Sequence, residues 1–147
     1  MENSQIQQIE KKKRSLKRYK KNLSCIERLE AKLDLVSERM TSVKSPNFSG
    51  MPRGGTPVTT ADLVCEKMEL EERIERLKDK GKILRREILA EIDTLEDPRQ
   101  AEVLEAFFIG GQSMEEISDD TTWNVRHVYR LYSEGVTILA LSEDNIE

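Results

Sequence analysis

Arg126 and Arg130 stand four residues apart in "NVRHVYRLY", so on a helix they share one face, one turn apart. Guanidinium groups near the start of a helix can enter a major groove, where each can bond guanine O6 and N7 together. Asn124 is suited to cap that helix, and Val125 turns toward its core. His127 and Tyr129 could add phosphate or base contacts. The candidate DNA-reading set is therefore Asn124, Val125, Arg126, His127, Tyr129 and Arg130. Other chemistries find little support. His127 is the only histidine, and Cys25 and Cys65 have no metal-ligand spacing, so neither a metal site nor a Ser/His triad is expected. The carboxylates show only ordinary helix-surface spacing. "GMPRGG" follows no strand and lacks the Lys-Ser/Thr ending of a phosphate loop. The expectation is a chain without catalysis, metal or cofactor, its two thiols free in a reducing compartment.

The elements that must hold those arginines are short helices. In "EDPRQAEVLEAFFIGGQS", Asp97 caps, Pro98 takes the first helical position, and Val103, Leu104, Phe107 and Phe108 form an apolar face. Gly110 and Gly111 end that helix. Ser113 and Glu116 make a capping box for the next, whose Met114 and Ile117 face inward. In the last helix Val125, Val128, Leu131 and Tyr132 point to the core. Residues 97–147 thus read as a three-helix, helix-turn-helix domain.

Residues 1–96 read differently. From about Ser4 to Met40 no glycine or proline interrupts, and an apolar stripe runs Ile6, Ile9, Leu16, Tyr19, Leu23, Ile26, Leu29, Leu33, Val36, Met40. The step from Ile9 to Leu16 skips a place that the stem of Lys12 or Lys13 would fill. Such a helix would extend roughly 50 Å. Residues 41–58, with three prolines and three glycines, read as a loop. Thr59 or Thr60 then caps a helix to about Leu95, with Leu63, Leu70, Leu77 and Leu84 at one heptad position. Ile74, Gly81, Ile88 and Leu95 occupy the other, Gly81 being the weak point because a mid-helix glycine leaves a gap. The seam's partner is the first helix, folded back as an antiparallel hairpin, or the same helix of a second chain in a homodimer. The hairpin is favoured, since two helices of similar length flank a flexible loop. It offsets Cys25 from Cys65 by roughly 15 Å, too far to bridge. The fold class is all-α, with 35% charged and only 5% aromatic residues suiting narrow seams.

Charge is polarised. Residues 1–40 hold eleven Lys/Arg against six Asp/Glu, whereas residues 97–147 hold three against eleven. The reading domain is thus the most acidic part of a chain of net charge -4. Lys11, Lys12, Lys13, Arg14, Lys17, Arg18, Lys20 and Lys21 form one basic run. Lys78, Lys80, Lys82, Arg85 and Arg86 form another around one acid, Asp79. In the hairpin these runs lie side by side at its base. The first run with Lys82, Arg85 and Arg86 is the candidate phosphate-binding set, supplying the attraction that the acidic domain lacks. Two such runs should also repel each other, unless a polyanion or the acidic domain folded onto them neutralises the charge.

The stretches "SMEEI" and "TWNVRHVYRLY" resemble the C-terminal helix-turn-helix of sigma factors, the domain that reads the -35 promoter element. More narrowly, "SPNFSGMPRGG", the helix after it and the terminal domain resemble small proteins of phages and prophages of Gram-positive bacteria, related to the ArpU and RinA late-transcription regulators. The resemblance covers roughly residues 41–142. It implies an activator of late phage genes that binds double-stranded promoter DNA, and contact with host RNA polymerase. Where such domains carry leucine and glycine before the recognition helix, this chain has Thr121 and Thr122, which predicts a core poorer by one apolar residue. In the loop, Arg53 could be held out to a partner, with Met51 and Phe48 as apolar anchors. No apolar run nears the roughly 18 residues of a membrane span and no signal peptide opens the chain, so a cytoplasmic location in the host cell is expected. A rival reading is a protein-docking module that grips polymerase or another basic partner through Glu115, Glu116, Asp119 and Asp120 and never reads DNA.

Overall fold

A computed structural model describes residues 2–44 and 59–142. Phe48, Met51 and Arg53, the contact candidates of the expected loop, lie outside the described residues. The fold is all-α: among the described residues there are six helices and no strand. They are α1 (Glu2–Leu16), α2 (Arg18–Lys44), α3 (Thr60–Ile92), α4 (Pro98–Phe108), α5 (Met114–Asp120) and α6 (Val125–Ser142). The expected first helix runs on to Lys44, four residues into the expected loop, since Thr41 to Lys44 hold neither glycine nor proline. It is divided only at Lys17. There the backbone ladder continues, Lys17 N–H donating to Lys13 O and Lys21 N–H to Lys17 O, each at 3.0 Å. α3 starts on a reciprocal cap: Thr59 Oγ1 accepts the Asp62 N–H at 3.1 Å while Asp62 Oδ2 accepts the Thr59 N–H at 3.3 Å. It ends at Ile92, short of Leu95. The N–H groups of Thr94 and Leu95 bond three residues back, and Thr94 Oγ1 donates to Glu91 O at 2.6 Å, which tightens the last turn.

The chain forms two compact units. One is residues 23–80, where α2 and the first part of α3 run antiparallel. Ile26, Leu29 and Val36 of α2 bury against Leu63, Leu70 and Ile74 of α3, and Lys78 pairs with Glu30 at 3.8 Å. The leucine seam here is filled from within the same chain.

The other unit joins residues 1–22 to residues 81–147. This division differs from a boundary at 96/97, because the core does not stop there. Leu16 of α1 and Ile88 and Ile92 of α3 share one apolar cluster with Leu104, Phe108, Val136 and Leu139 of the terminal helices. A second cluster, Val103, Met114, Ile117, Val128 and Leu131, holds α4, α5 and α6 together. α1 packs directly on α6.

Lys12 is only 5% exposed, its stem filling the gap between Ile9 and Leu16 and its ammonium paired with Glu91. At Gly81 the expected gap is occupied. A Cβ there would lie 2.6 Å from Asn22 Nδ2, and Asn22 is itself buried. The glycine is the room that a polar neighbour needs, and Leu23, the expected stripe residue, is turned outward.

Candidate nucleic-acid interface

Each helix of the terminal domain begins on a side-chain cap, as its sequence dictates. Asp97 Oδ1 accepts the Arg99 N–H at 2.9 Å, with Pro98 in the first turn. The Arg99 side chain, bonded to the same carboxylate, holds Asp97 below the usual carboxylate range. Gly111, at φ 69°, makes the left-handed turn after α4. Ser113 Oγ accepts the Glu116 N–H at 3.1 Å, and Asn124 Oδ1 accepts the His127 N–H at 2.8 Å.

The turn between α5 and α6 is built on Thr121, at the position where the resemblance expects an apolar residue. Thr121 is half-buried and its hydroxyl does the work of the turn, donating to Ile117 O at 2.8 Å and accepting the Trp123 N–H at 3.3 Å. Ser118 Oγ donates to Trp123 O at 2.8 Å. So anchored, Trp123 packs on the α4–α5–α6 cluster and supplies the apolar surface. Sequence reading missed it, since no helical period marks a tryptophan in a turn.

On α6 the buried positions are Val128, Leu131, Gly135, Val136, Leu139 and Ala140, with Val125 partly buried beside them. The opposite side carries the predicted set. Arg126 is exposed, Tyr129 is half-exposed, and His127 lies edge-on to Trp123 with ring centroids 6.0 Å apart. Arg130 is exposed but not isolated: its Nε–H donates to Glu134 Oε1 at 3.0 Å. The other oxygen of Glu134 accepts from Gln100 Nε2 at 3.3 Å. Arg130 holds the Glu134 carboxyl below its ordinary range; partial burial opposes that and Gln100 adds to it. Glu134 and Gln100 were not read from the sequence, although the four-residue step from Arg130 to Glu134 was there to see.

The candidate phosphate set divides. Lys11, Arg14, Lys17, Lys21, Lys82, Arg85 and Arg86 are exposed. The last three line a groove of about 480 Å³ with Leu89, Ala90 and Asp93. Lys13 pairs with Glu10 at 3.4 Å, and Arg18 reaches Glu87 at 3.7 Å and Ser15 O at 2.7 Å. Two members do not fit the expected role. Lys12 is buried on Glu91, and Lys20 lies over the Phe107 ring with Nζ 3.5 Å from its centroid. Burial, and then the charge of Lys17, lower the Lys20 ammonium from its ordinary range. The repulsion expected between the runs is relieved locally, because Glu87 and Glu91 of α3 stand opposite Arg18 and Lys12. Of the acidic docking residues, Glu116 accepts from the Ser113 hydroxyl at 3.2 Å and Asp120 accepts from Gln112 Nε2 at 2.8 Å.

Comparisons with protein-family models, curated proteins and solved structures find no match to this chain. No helix among the described residues is long and apolar enough to cross a membrane.

Proposed function

We propose that the chain is a non-enzymatic, DNA-binding regulator of transcription. The observation that carries this reading is the first half of α6. Arg126, Tyr129 and Arg130 are exposed together on a helix whose other face is buried in a capped helix-turn-helix core. A helix so anchored can lay its N-terminal turns in a major groove. The exposed cations of α1, α2 and α3 supply the phosphate attraction that the acidic terminal helices lack. The resemblance to late-transcription regulators of phages supports activation of late genes at a promoter, with host RNA polymerase as a second partner in the bacterial cytoplasm. A protein-docking reading draws on Glu115 and Asp119, which are exposed on α5. Fluorescence anisotropy on late-promoter and scrambled duplexes at several salt concentrations separates the two. Specific binding that falls to the scrambled level in Arg126→Ala/Arg130→Ala supports the reader. Binding that ignores sequence and mutation leaves only the basic helices as a DNA contact, and no binding at all moves the reading to docking.

A further inference from the structure

We propose that Glu134 is a positioning residue for Arg130, and that Arg130, held in this way, reads a guanine while Arg126 contacts the DNA backbone. The inference rests on the DNA-reading function and assigns its two arginines different tasks. Glu134 takes the Nε–H of Arg130 at 3.0 Å, which leaves the two terminal nitrogens as an end-on fork. A guanine edge offers two acceptors, O6 and N7, spaced for such a fork, whereas a phosphate accepts from a guanidinium in many poses. Fixing the fork therefore favours the base over the backbone.

The carboxylate can fix it because it is itself fixed from another helix. Gln100 of α4, 6% exposed, donates to its second oxygen at 3.3 Å. The carboxylate can only accept, so it takes the NH₂ end of that amide, and the Gln100 Oε1 is left buried with no hydrogen-bond partner among the described residues. Gly135 permits the approach. A Cβ at that position would stand 3.0 Å from Leu104 Cδ1 and 3.4 Å from Gln100 Cβ. On an isolated helix an arginine four residues before a glutamate is the weaker order for an ion pair, so the tether from α4 is what makes this pair more than a passing surface contact. Arg126 has no such support. The residues three and four places away on α6 or before it are Thr122, Trp123, Tyr129 and Arg130, none of them a carboxylate. An exposed cation without that tether, one turn nearer the helix start, suits a phosphate.

The test uses the full chain. Selection from randomised duplexes gives the preferred sequence. Anisotropy at fixed salt then compares that duplex with versions changed at each guanine and with scrambled DNA. Wild type should prefer guanine at one position by roughly tenfold or more, the discrimination typical of a two-bond arginine contact. Glu134→Gln should bring that preference close to parity, while scrambled DNA binds as tightly as before or tighter. Glu134→Asp, which keeps the charge but shortens its reach, should lose the preference without that gain. Arg130→Lys should lose it as well, and Arg126→Lys should keep it. Thermal melting of each variant checks that the fold is intact, and a purely structural role would not move the preference at a single base. If Glu134→Gln tightens every duplex alike and keeps the guanine preference, Glu134 only masks Arg130 and this assignment falls while DNA reading stands. If wild type selects no sequence at all, both fall.

Discussion

Burying the ammonium of Lys12 removes it from water, and the Glu91 carboxylate offsets part of that cost by pairing with it. Its stem was legible in the sequence as filler for the gap between Ile9 and Leu16. The same residue cannot also serve as a phosphate contact, because one side chain has one head group and Glu91 holds it. Lys20 makes the complementary case, its charge set over the Phe107 ring and near that of Phe108. Nothing in a run of basic residues distinguishes the one that meets an aromatic face, since Phe107 is 87 positions away along the chain. Lys20 has its folded pKa lowered from 10.5, chiefly by burial. The folded chain therefore sheds this proton before the unfolded chain does, and stability contributed at Lys20 rises as pH climbs through the lowered value toward 10.5. In Lys20→Met that rise is absent. Chemical denaturation of both proteins in steps from neutral pH to about 10.5 should show the difference between them shifting in favour of wild type. A difference that stays flat, or moves the other way, would show that the ring holds the charged form at least as well as water does.

Helices and their caps were legible because their causes are local. The Thr59 cap, Asp97 with Pro98, Ser113 with Glu116, and Asn124 each act within one turn of their own position. What could not be read is set by pairing across elements. Gly81 looked like a defect in α3 alone, and only the opposite helix shows that Asn22 occupies the space. For the same reason the stripe named Leu23 while the buried residue is Asn22, one position earlier. A double-mutant cycle tests this pairing. Gly81→Ala gains about 1 kcal/mol of helix propensity, yet its Cβ would stand 2.6 Å from Asn22 Nδ2. Made alone, the substitution should therefore gain well under that amount or destabilise. Made in an Asn22→Ala background it should recover nearly all of it, giving a coupling of about 0.5 kcal/mol or more. Additive effects in urea unfolding would mean that Asn22 moves aside at no cost and that the glycine is not there for its sake.

Across the whole molecule the charge is separated along the chain. The basic runs belong to α1, α2 and α3, while residues 97–147 carry only three basic residues against eleven acidic ones. This polarity was legible in full from composition, and the shared exposure of Arg126, Tyr129 and Arg130 from their spacing. Which cations stand available was not, because availability is a property of packing. If DNA is bound as proposed, the slope of log affinity against log salt counts the phosphates neutralised, at roughly 0.9 per contact. Lys11, Arg14, Lys17 and Lys21 are exposed, so replacing all four with alanine should make the slope shallower by up to about 3.6 on that scale. Replacing Lys12 and Lys20 with methionine removes two charges from the same run, yet the slope should hardly change, because Glu91 and Phe107 already hold those groups. Equal loss of slope per charge in the two variants would show that DNA pulls both lysines out of their packed positions. The net charge of the run, not its arrangement, would then govern binding.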